Sequence, residues 1–178
     1  MNYHFQDLLP PHFSNDSRIW IYQCNRPFST DENFKIKELL SHFSNSWLSH
    51  GHKVKGFANL FFGQFIIFIA DETETGVSGC STDSSVRLVK SIEEDYQVQL
   101  FDRERLAFII EQKIILIPLT ELKEAVSSHM IKPDTLYFNN TIQTLNQLIN
   151  EWIIPVGNSW LSNRFKLYMD YSVGSSID

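Results

Sequence analysis

The stretch VKGFANLFFGQFIIFIADE, residues 54–72, contains two apolar runs rich in β-forming residues, separated by Gly63. A glycine between two such runs predicts a tight hairpin turn, although a single bulged strand is the alternative. We therefore predict one strand at about 54–62 and another at 64–71. The rest of the fold is interpreted around this pair.

The segment before the pair predicts a strand followed by a helix. RIWIYQC, residues 18–24, has strand propensity and is ended by Pro27. Ser29 and Glu32 then have the spacing of a capping box, in which each side chain bonds the backbone of the other residue. Apolar residues follow at helical spacing as far as Gly51, namely Ile36, Leu39, Leu40, Phe43 and Trp47.

The segment after the pair predicts an amphipathic helix beginning near VSGCSTDSSV, residues 77–86, with Ser81 or Thr82 as its N-cap. RLAFIIEQKIILIPL, residues 105–119, predicts a second hairpin, and Pro118 confines its last strand to an edge or an end of a sheet. A short helix at TELKEAV, one further short strand and a third amphipathic helix at residues 141–155 complete the series.

This order of elements indicates an α+β fold, specifically a ferredoxin-like βαββαβ mixed sheet with helices on one face and a C-terminal helical extension. We expect residues 1–17 to form an N-terminal arm and residues 18–178 to form a single domain. Within that domain, residues 121–178 are the extension. The first and third strands should be adjacent, central and parallel.

A candidate ligand site follows from the expected parallel pairing, because the carboxyl ends of the two strands would share one edge. Arg26 would then approach the start of the second helix, and His42, His50 and His52, near the end of the first helix, would lie at the opposite edge. The residues predicted to bind a ligand are therefore Arg26, Gly79, Cys80, Ser81, Thr82 and Asp83.

The predicted site has three interpretations. A helix N-terminus offers unpaired N–H groups to an anion, and Arg26 would add charge. Alternatively, the segment is only a capped helix start, with Asp83 complementing the dipole. In the third interpretation, Cys80 is a nucleophile or a redox centre.

Two other clusters are interpreted as exposed polar surface. His42, His50 and His52 lack a convincing metal-ligand spacing, and Asp71, Glu72 and Glu74 are typical of a loop before a helix. We expect neither a metal nor a cofactor. Asn45–Ser49 and Asn158–Ser162 both read NSWLS, but their flanking segments do not match, so we interpret the recurrence as coincidence.

Charge and composition narrow the classes of partner. The formal net charge is −6, and no run of lysines and arginines could neutralise successive phosphates, so we expect no nucleic-acid partner. No stretch approaches the length of a membrane span, and the start lacks a positively charged segment before an apolar one. We expect a cytoplasmic protein without a membrane partner.

Four segments resemble a group of short, uncharacterised Bacteroidota proteins often labelled "ABC transporter ATPase". They are SRIWIYQCNRPF, GCSTDSSVRLVKSIEE, LFDR and EWIIPVGNSWLSNRF, spread over residues 17–165. The resemblance implies no established activity. ATP hydrolysis of the ABC type is excluded because it needs a G-x-x-x-x-G-K-[ST] loop, and no glycine here has that spacing.

The leading functional hypothesis is a non-catalytic domain that binds a small anionic ligand or a protein partner. A cysteine-dependent enzyme or redox sensor that uses Cys80 is the alternative. A third hypothesis is a structural partner that pairs through a sheet edge, which would produce a homodimer. The sequence leaves the oligomeric state open.

Overall fold

The computed structural model describes the backbone of residues 3–173 and the side chains of residues 3–168. The chain divides into two compact units. We name residues 3–102 with 142–149 the N-terminal unit, and residues 103–141 with 150–173 the C-terminal unit. Both combine helices with antiparallel strands, so the α+β class is confirmed. The single-domain organisation stays a prediction.

The N-terminal unit is built on a three-stranded sheet with the order β1-β5-β4. In chain order its main elements are β1 (Arg18–Gln23), α1 (Thr30–Ser46), β2 (Leu48–Ser49), β3 (His52–Lys53), β4 (Lys55–Phe61), β5 (Phe65–Asp71) and α2 (Gly79–Tyr96). All seven residues of β5 are buried, as expected for the central strand of a covered sheet.

The first predicted hairpin is confirmed. β4 and β5 pair antiparallel from Lys55 opposite Asp71 to Phe61 opposite Phe65. Three residues, 62–64, join the two strands, and the first two of them, Phe62 and Gly63, have the positive φ of the tight turns that join antiparallel strands. The bulged single strand is therefore wrong.

The predicted parallel pairing of the strands at residues 18–24 and 64–71 is wrong. β1 and β5 are adjacent, but they run antiparallel, with Arg18 opposite Ala70 and Gln23 opposite Phe65. A helical crossover brings β4 into the same direction as β1, and the hairpin then reverses β5. The carboxyl ends of β1 and β5 consequently lie at opposite ends of the sheet. The next long strand pairs in a separate sheet, so a four-stranded ferredoxin-like sheet is not seen.

The helix α1 begins as the sequence predicts and ends earlier. The Ser29 side chain accepts a hydrogen bond from the Glu32 N–H, and the Glu32 carboxylate accepts one from the Ser29 N–H. The helix ends at Ser46, so Trp47 is its C-cap and is buried against the sheet. The Trp47 ring contacts Phe68 edge-on, which fixes this end of α1 on β5.

The described part of the N-terminal arm is attached to the β4–β5 hairpin. Phe5 is buried, with its ring edge-on to Phe61. The Lys55 ammonium donates to the His12 carbonyl, and the Ser14 N–H donates to the Asp71 carboxylate. The arm therefore has specific side-chain and backbone partners.

The C-terminal unit contains an antiparallel sheet with the order β7-β6-β8-β9. The elements of this unit in chain order are β6 (Arg105–Ile110), β7 (Lys113–Pro118), α3 (Leu122–Ser127), β8 (Leu136–Phe138), β9 (Ile153–Pro155) and α5 (Ser162–Val173). The helix α4 (Leu145–Glu151) belongs mainly to the N-terminal unit, which includes residues 142–149. The second hairpin is confirmed, and β7 lies at the edge, as Pro118 predicts. The third helix, predicted over residues 141–155, is confirmed only over Leu145–Glu151: residues 141–144 are not helical, and Ile153–Pro155 pairs with β8 as a strand.

The two NSWLS segments occupy different environments. Trp47 is buried and Leu48 is exposed in the first copy, whereas Trp160 is exposed and Leu161 is buried in the second. Identical residues thus have opposite roles in packing. This difference supports the interpretation that the recurrence is a coincidence.

Candidate functional site

The helix α2 begins at Gly79 with a serine capping box, which differs from the predicted cap. Ser78 is the N-cap, and its hydroxyl accepts a hydrogen bond from the Ser81 N–H at 3.3 Å. The Ser81 hydroxyl accepts one from the Ser78 N–H at 3.2 Å. Thr82 is inside the helix, and Asp83 lies beyond the first turn. The first turn consequently has no acidic side chain.

The start of α2 is held by the segment that follows α1. The Trp47 indole N–H donates to the Ser81 carbonyl at 3.0 Å. The Ser49 hydroxyl donates to the Gly76 carbonyl at 2.7 Å and accepts from the Ser78 N–H at 3.2 Å. The prediction that the end of α1 lies at the opposite edge is therefore wrong. His50 and His52 follow in an exposed hairpin on the same side as this helix start.

Arg26 is not brought to the start of α2. Its guanidinium forms two hydrogen bonds with the Glu32 carboxylate, at 2.8 and 2.9 Å, and donates to the Tyr96 carbonyl at 2.9 Å. Tyr96 is the last residue of α2, and a helical rise of 1.5 Å per residue separates it from Cys80 by about 24 Å. The predicted convergence of Arg26 with Gly79, Cys80, Ser81, Thr82 and Asp83 is therefore wrong.

The two cysteines are free and differ in accessibility. Cys24 is completely buried, and burial raises the pKa of its thiol, while contacts with Arg26 and Asn25 oppose this in part. Cys80 is exposed in the first turn of α2. A thiolate is the nucleophilic form of cysteine, so Cys24 is poorly suited to a reactive role.

The interpretation of Asp71, Glu72 and Glu74 as exposed surface is wrong for Asp71, which is buried. The Asp71 carboxylate is buried, which by itself raises its pKa, but hydrogen bonds from Lys55, Thr73 and Ser14 outweigh burial and hold the pKa well below its usual range. Glu72 accepts a hydrogen bond from the Val77 N–H. Within residues 3–168, no group of three His, Cys, Asp or Glu side chains is arranged to hold a metal ion.

The edge of β7 exposes backbone groups in the C-terminal unit. Glu111 and Gln112 form the two-residue turn between β6 and β7, and both have positive φ, as in a type I′ hairpin. In such a hairpin the residues flanking the turn form a hydrogen-bonded pair, and pairs alternate from there. Ile114 and Leu116 therefore direct their N–H and C=O groups away from β6.

An acidic cleft lies beside the same edge. Its volume is about 200 Å³, and its lining consists of Ile117, Glu121, Glu124, Ala125, Ser128 and Met130. Ile117 and Ala125 belong to the core between this sheet and α3, so the cleft is on the face of the sheet that α3 covers. Within residues 3–168, neither Glu121 nor Glu124 forms an ion pair.

The sequence predicted the edge strand and missed the cleft. Pro118 restricted its strand to an edge or an end of a sheet because proline has no N–H to donate to a neighbouring strand. Glu121 and Glu124 are three residues apart in a segment predicted as a helix, and that spacing places two side chains on one face. Only the packing of α3 on β7 places this acidic face next to the exposed backbone.

No helix among the described residues combines the length and the apolar content needed to cross a membrane. No protein-family model matches the chain, and neither a curated protein nor a solved structure matches it. The resemblance to the Bacteroidota group therefore stays a prediction.

Proposed function

We propose that the protein is an interaction module that binds an extended protein segment at the β7 edge. The observation that carries this proposal is the pair Ile114 and Leu116, whose backbone donors and acceptors face away from the sheet. Exposed edge groups are a template for an added strand, and domains that recognise peptides by strand addition gain affinity from these bonds.

The edge has few of the features that block strand addition. Lys113 and Pro118 occur only at its two ends, and the four residues between them are aliphatic. Charged residues or proline in the middle of an edge strand are the usual protection against pairing. An added strand can therefore pair with β7 along residues 114–117.

The cleft indicates which side chain the added strand would carry. Directly opposite residues of paired strands project to the same face, about 5 Å apart. A basic residue opposite Ile117 would therefore project toward Glu121 and Glu124 at the mouth of the cleft.

The small-anion version of the binding hypothesis has less support. It relied on Arg26 beside the start of α2, and Arg26 instead bonds Glu32 and Tyr96. Without Arg26, the start of α2 is a helix N-terminus capped by Ser78, and serine is a common N-cap residue.

The test is selection of binding peptides from a display library of extended octapeptides, followed by titration of isotopically labelled protein. We expect selected peptides to carry a lysine or arginine and to shift the amide signals of Ile114 and Leu116. Leu116→Pro should abolish binding, because the variant loses the outward N–H. Leu116→Val is the matched control and should bind normally.

Two results would contradict the proposal. One is the failure of the library to yield any peptide that shifts these amide signals. The other is equal binding of selected peptides to wild type and to Leu116→Pro. Because the Leu116 N–H bonds nothing in β6, Leu116→Pro should keep the wild-type circular dichroism spectrum, which verifies that the variant is folded.

A further inference from the structure

We propose that the extended segment bound at this edge is β7 of a second copy of the chain, in an antiparallel pair centred on Ile115. This inference rests on the proposed function and names its partner. It follows from the register that the free backbone groups allow and from the charges that this register brings together.

The register is set by which residues have free backbone groups. Ile114 and Leu116 have them, and the symmetric register centred on Ile115 pairs both of them in each copy, with Ile114 of one copy opposite Leu116 of the other. Each such pair exchanges two hydrogen bonds, which gives about four across the interface. Ile115, which is 36% exposed, then lies opposite its own counterpart on the two-fold axis.

The same register brings opposite charges together. Lys113 of one copy falls opposite Ile117 of the other, in a pair without hydrogen bonds, where side chains approach most closely. Lys113 and Ile117 are on the face covered by α3. The Lys113 ammonium would therefore enter the cleft lined by Glu121 and Glu124 of the second copy. Two-fold symmetry produces this contact twice.

The ends of the strand explain why such pairing would stop at two copies. Pairing through one edge about a two-fold axis uses the same surface of both chains and leaves no free copy of it. Pro118 lacks an N–H, and the turn at Glu111 and Gln112 ends the strand on the other side. The pairing is thereby limited to a closed dimer.

The first measurement is sedimentation equilibrium of the full chain over a wide concentration range. We expect a monomer–dimer equilibrium that Leu116→Pro shifts entirely to monomer and that Leu116→Val leaves unchanged. Lys113→Glu should weaken the dimer by about tenfold or more, because it places like charges together in the cleft. Lys90→Glu, an equal charge change at an exposed position of α2, should have no effect.

The decisive measurement is a charge exchange between two variants. Lys113→Glu and the double variant Glu121→Lys with Glu124→Lys should each dimerise poorly. An equimolar mixture of the two variants should form a heterodimer with close to wild-type affinity. In that heterodimer the side chain at position 113 of each variant meets a cleft of opposite charge in the other. Non-specific sticking of sheet edges would not produce this recovery. Recovery also shows that both variants are folded.

The results separate this inference from the proposed function. A wild-type chain that stays monomeric, or a mixture that does not recover, overturns the dimer. If selected peptides still shift Ile114 and Leu116 in that case, the interaction module stands with a different partner. If a dimer forms and Leu116→Pro does not dissociate it, the β7 pairing is wrong.

Discussion

The Arg26 guanidinium donates a hydrogen bond to the carbonyl oxygen of Tyr96, which is the last residue of α2. Arg26 also pairs with Glu32 in the first turn of α1. A cation at a helix C-terminus and an anion at a helix N-terminus both complement the helix dipole. One arginine thus links the start of α1 to the end of α2, and this contact gives it a structural role.

The Arg26–Glu32 pair should make stability dependent on acid pH. Hydrogen bonds from Arg26 and Ser29 lower the pKa of Glu32 from its ordinary 4.5 to about 2. A carboxylate with a lowered folded-state pKa contributes stability above its unfolded pKa, and the contribution disappears as the pH falls toward the folded pKa. The free energy of unfolding should therefore decrease between about pH 4.5 and pH 2.

Glu32→Gln isolates this contribution. We expect the variant to be less stable than wild type near pH 7 and to approach wild type as the pH falls to about 2, as measured by urea unfolding. Because Arg26 is 41% exposed, solvent reduces the size of the effect. A difference between the two proteins that stays constant over this range would contradict the assignment.

Ser78→Ala should destabilise the protein by about 1 kcal/mol, the typical effect of removing an N-cap hydroxyl. The Ser78 hydroxyl accepts from the Ser81 N–H and contacts the Ser81 hydroxyl at 2.6 Å. Ser91→Ala is the matched control, since Ser91 is an exposed residue farther along α2 and should change stability little. Equal effects of the two substitutions in chemical denaturation would be inconsistent with a cap at Ser78.

Gly56→Ala should destabilise the protein because β4 passes close to the Trp47 ring. A Cβ atom at Gly56 would lie 2.5 Å from Cε3 of Trp47, which is buried and cannot move freely. Overpacking of this kind costs about 1–3 kcal/mol. Gly76→Ala, where an added Cβ meets nothing within 4 Å, is the control.

A smaller ring at position 47 should relieve the clash, which makes the effect testable by a double-mutant cycle. Trp47→Phe alone is expected to destabilise, because it leaves the Ser81 carbonyl without its indole donor. The double variant with Gly56→Ala should be more stable than the sum of the single changes. Simple additivity would show that the two positions do not contact each other.

The two cysteines should be distinguished by thiol labelling of the native protein. Cys80 is exposed and should react, whereas the buried Cys24 should react only after unfolding. Cys80→Ser should then abolish labelling of the folded chain. We expect Cys80 to react near neutral pH at the rate of a model thiol, and a much faster rate would support the alternative of a cysteine-dependent enzyme or redox sensor.

The sequence predicted the local elements well because their signals lie within a few residues of each other. The capping box at Ser29 and Glu32, the turn at Gly63 and the edge position of Pro118 all depend on neighbouring side chains and on backbone dihedral angles. The last turn of the third predicted helix failed because pairing with β8 overrode its helical spacing.

The candidate site was predicted less well because it depends on which strands are neighbours and in which direction they run. Because β1 runs antiparallel to β5, Arg26 lies at the end of α2, far from Cys80. This strand direction results from the helical crossover between β1 and β4 together with the β4–β5 hairpin. Likewise, no short segment indicates that Glu121 and Glu124 lie beside Ile117.

By itself, the sequence determined the α+β class, both hairpins and the start of α1, and it restricted β7 to an edge or an end of a sheet. The tertiary structure alone decided the direction of β1, the burial of Trp47 as opposed to Trp160, and the acidic cleft beside the exposed backbone. The physical reason is that propensities and caps act over a few residues, whereas strand direction and burial depend on contacts between segments distant in the chain.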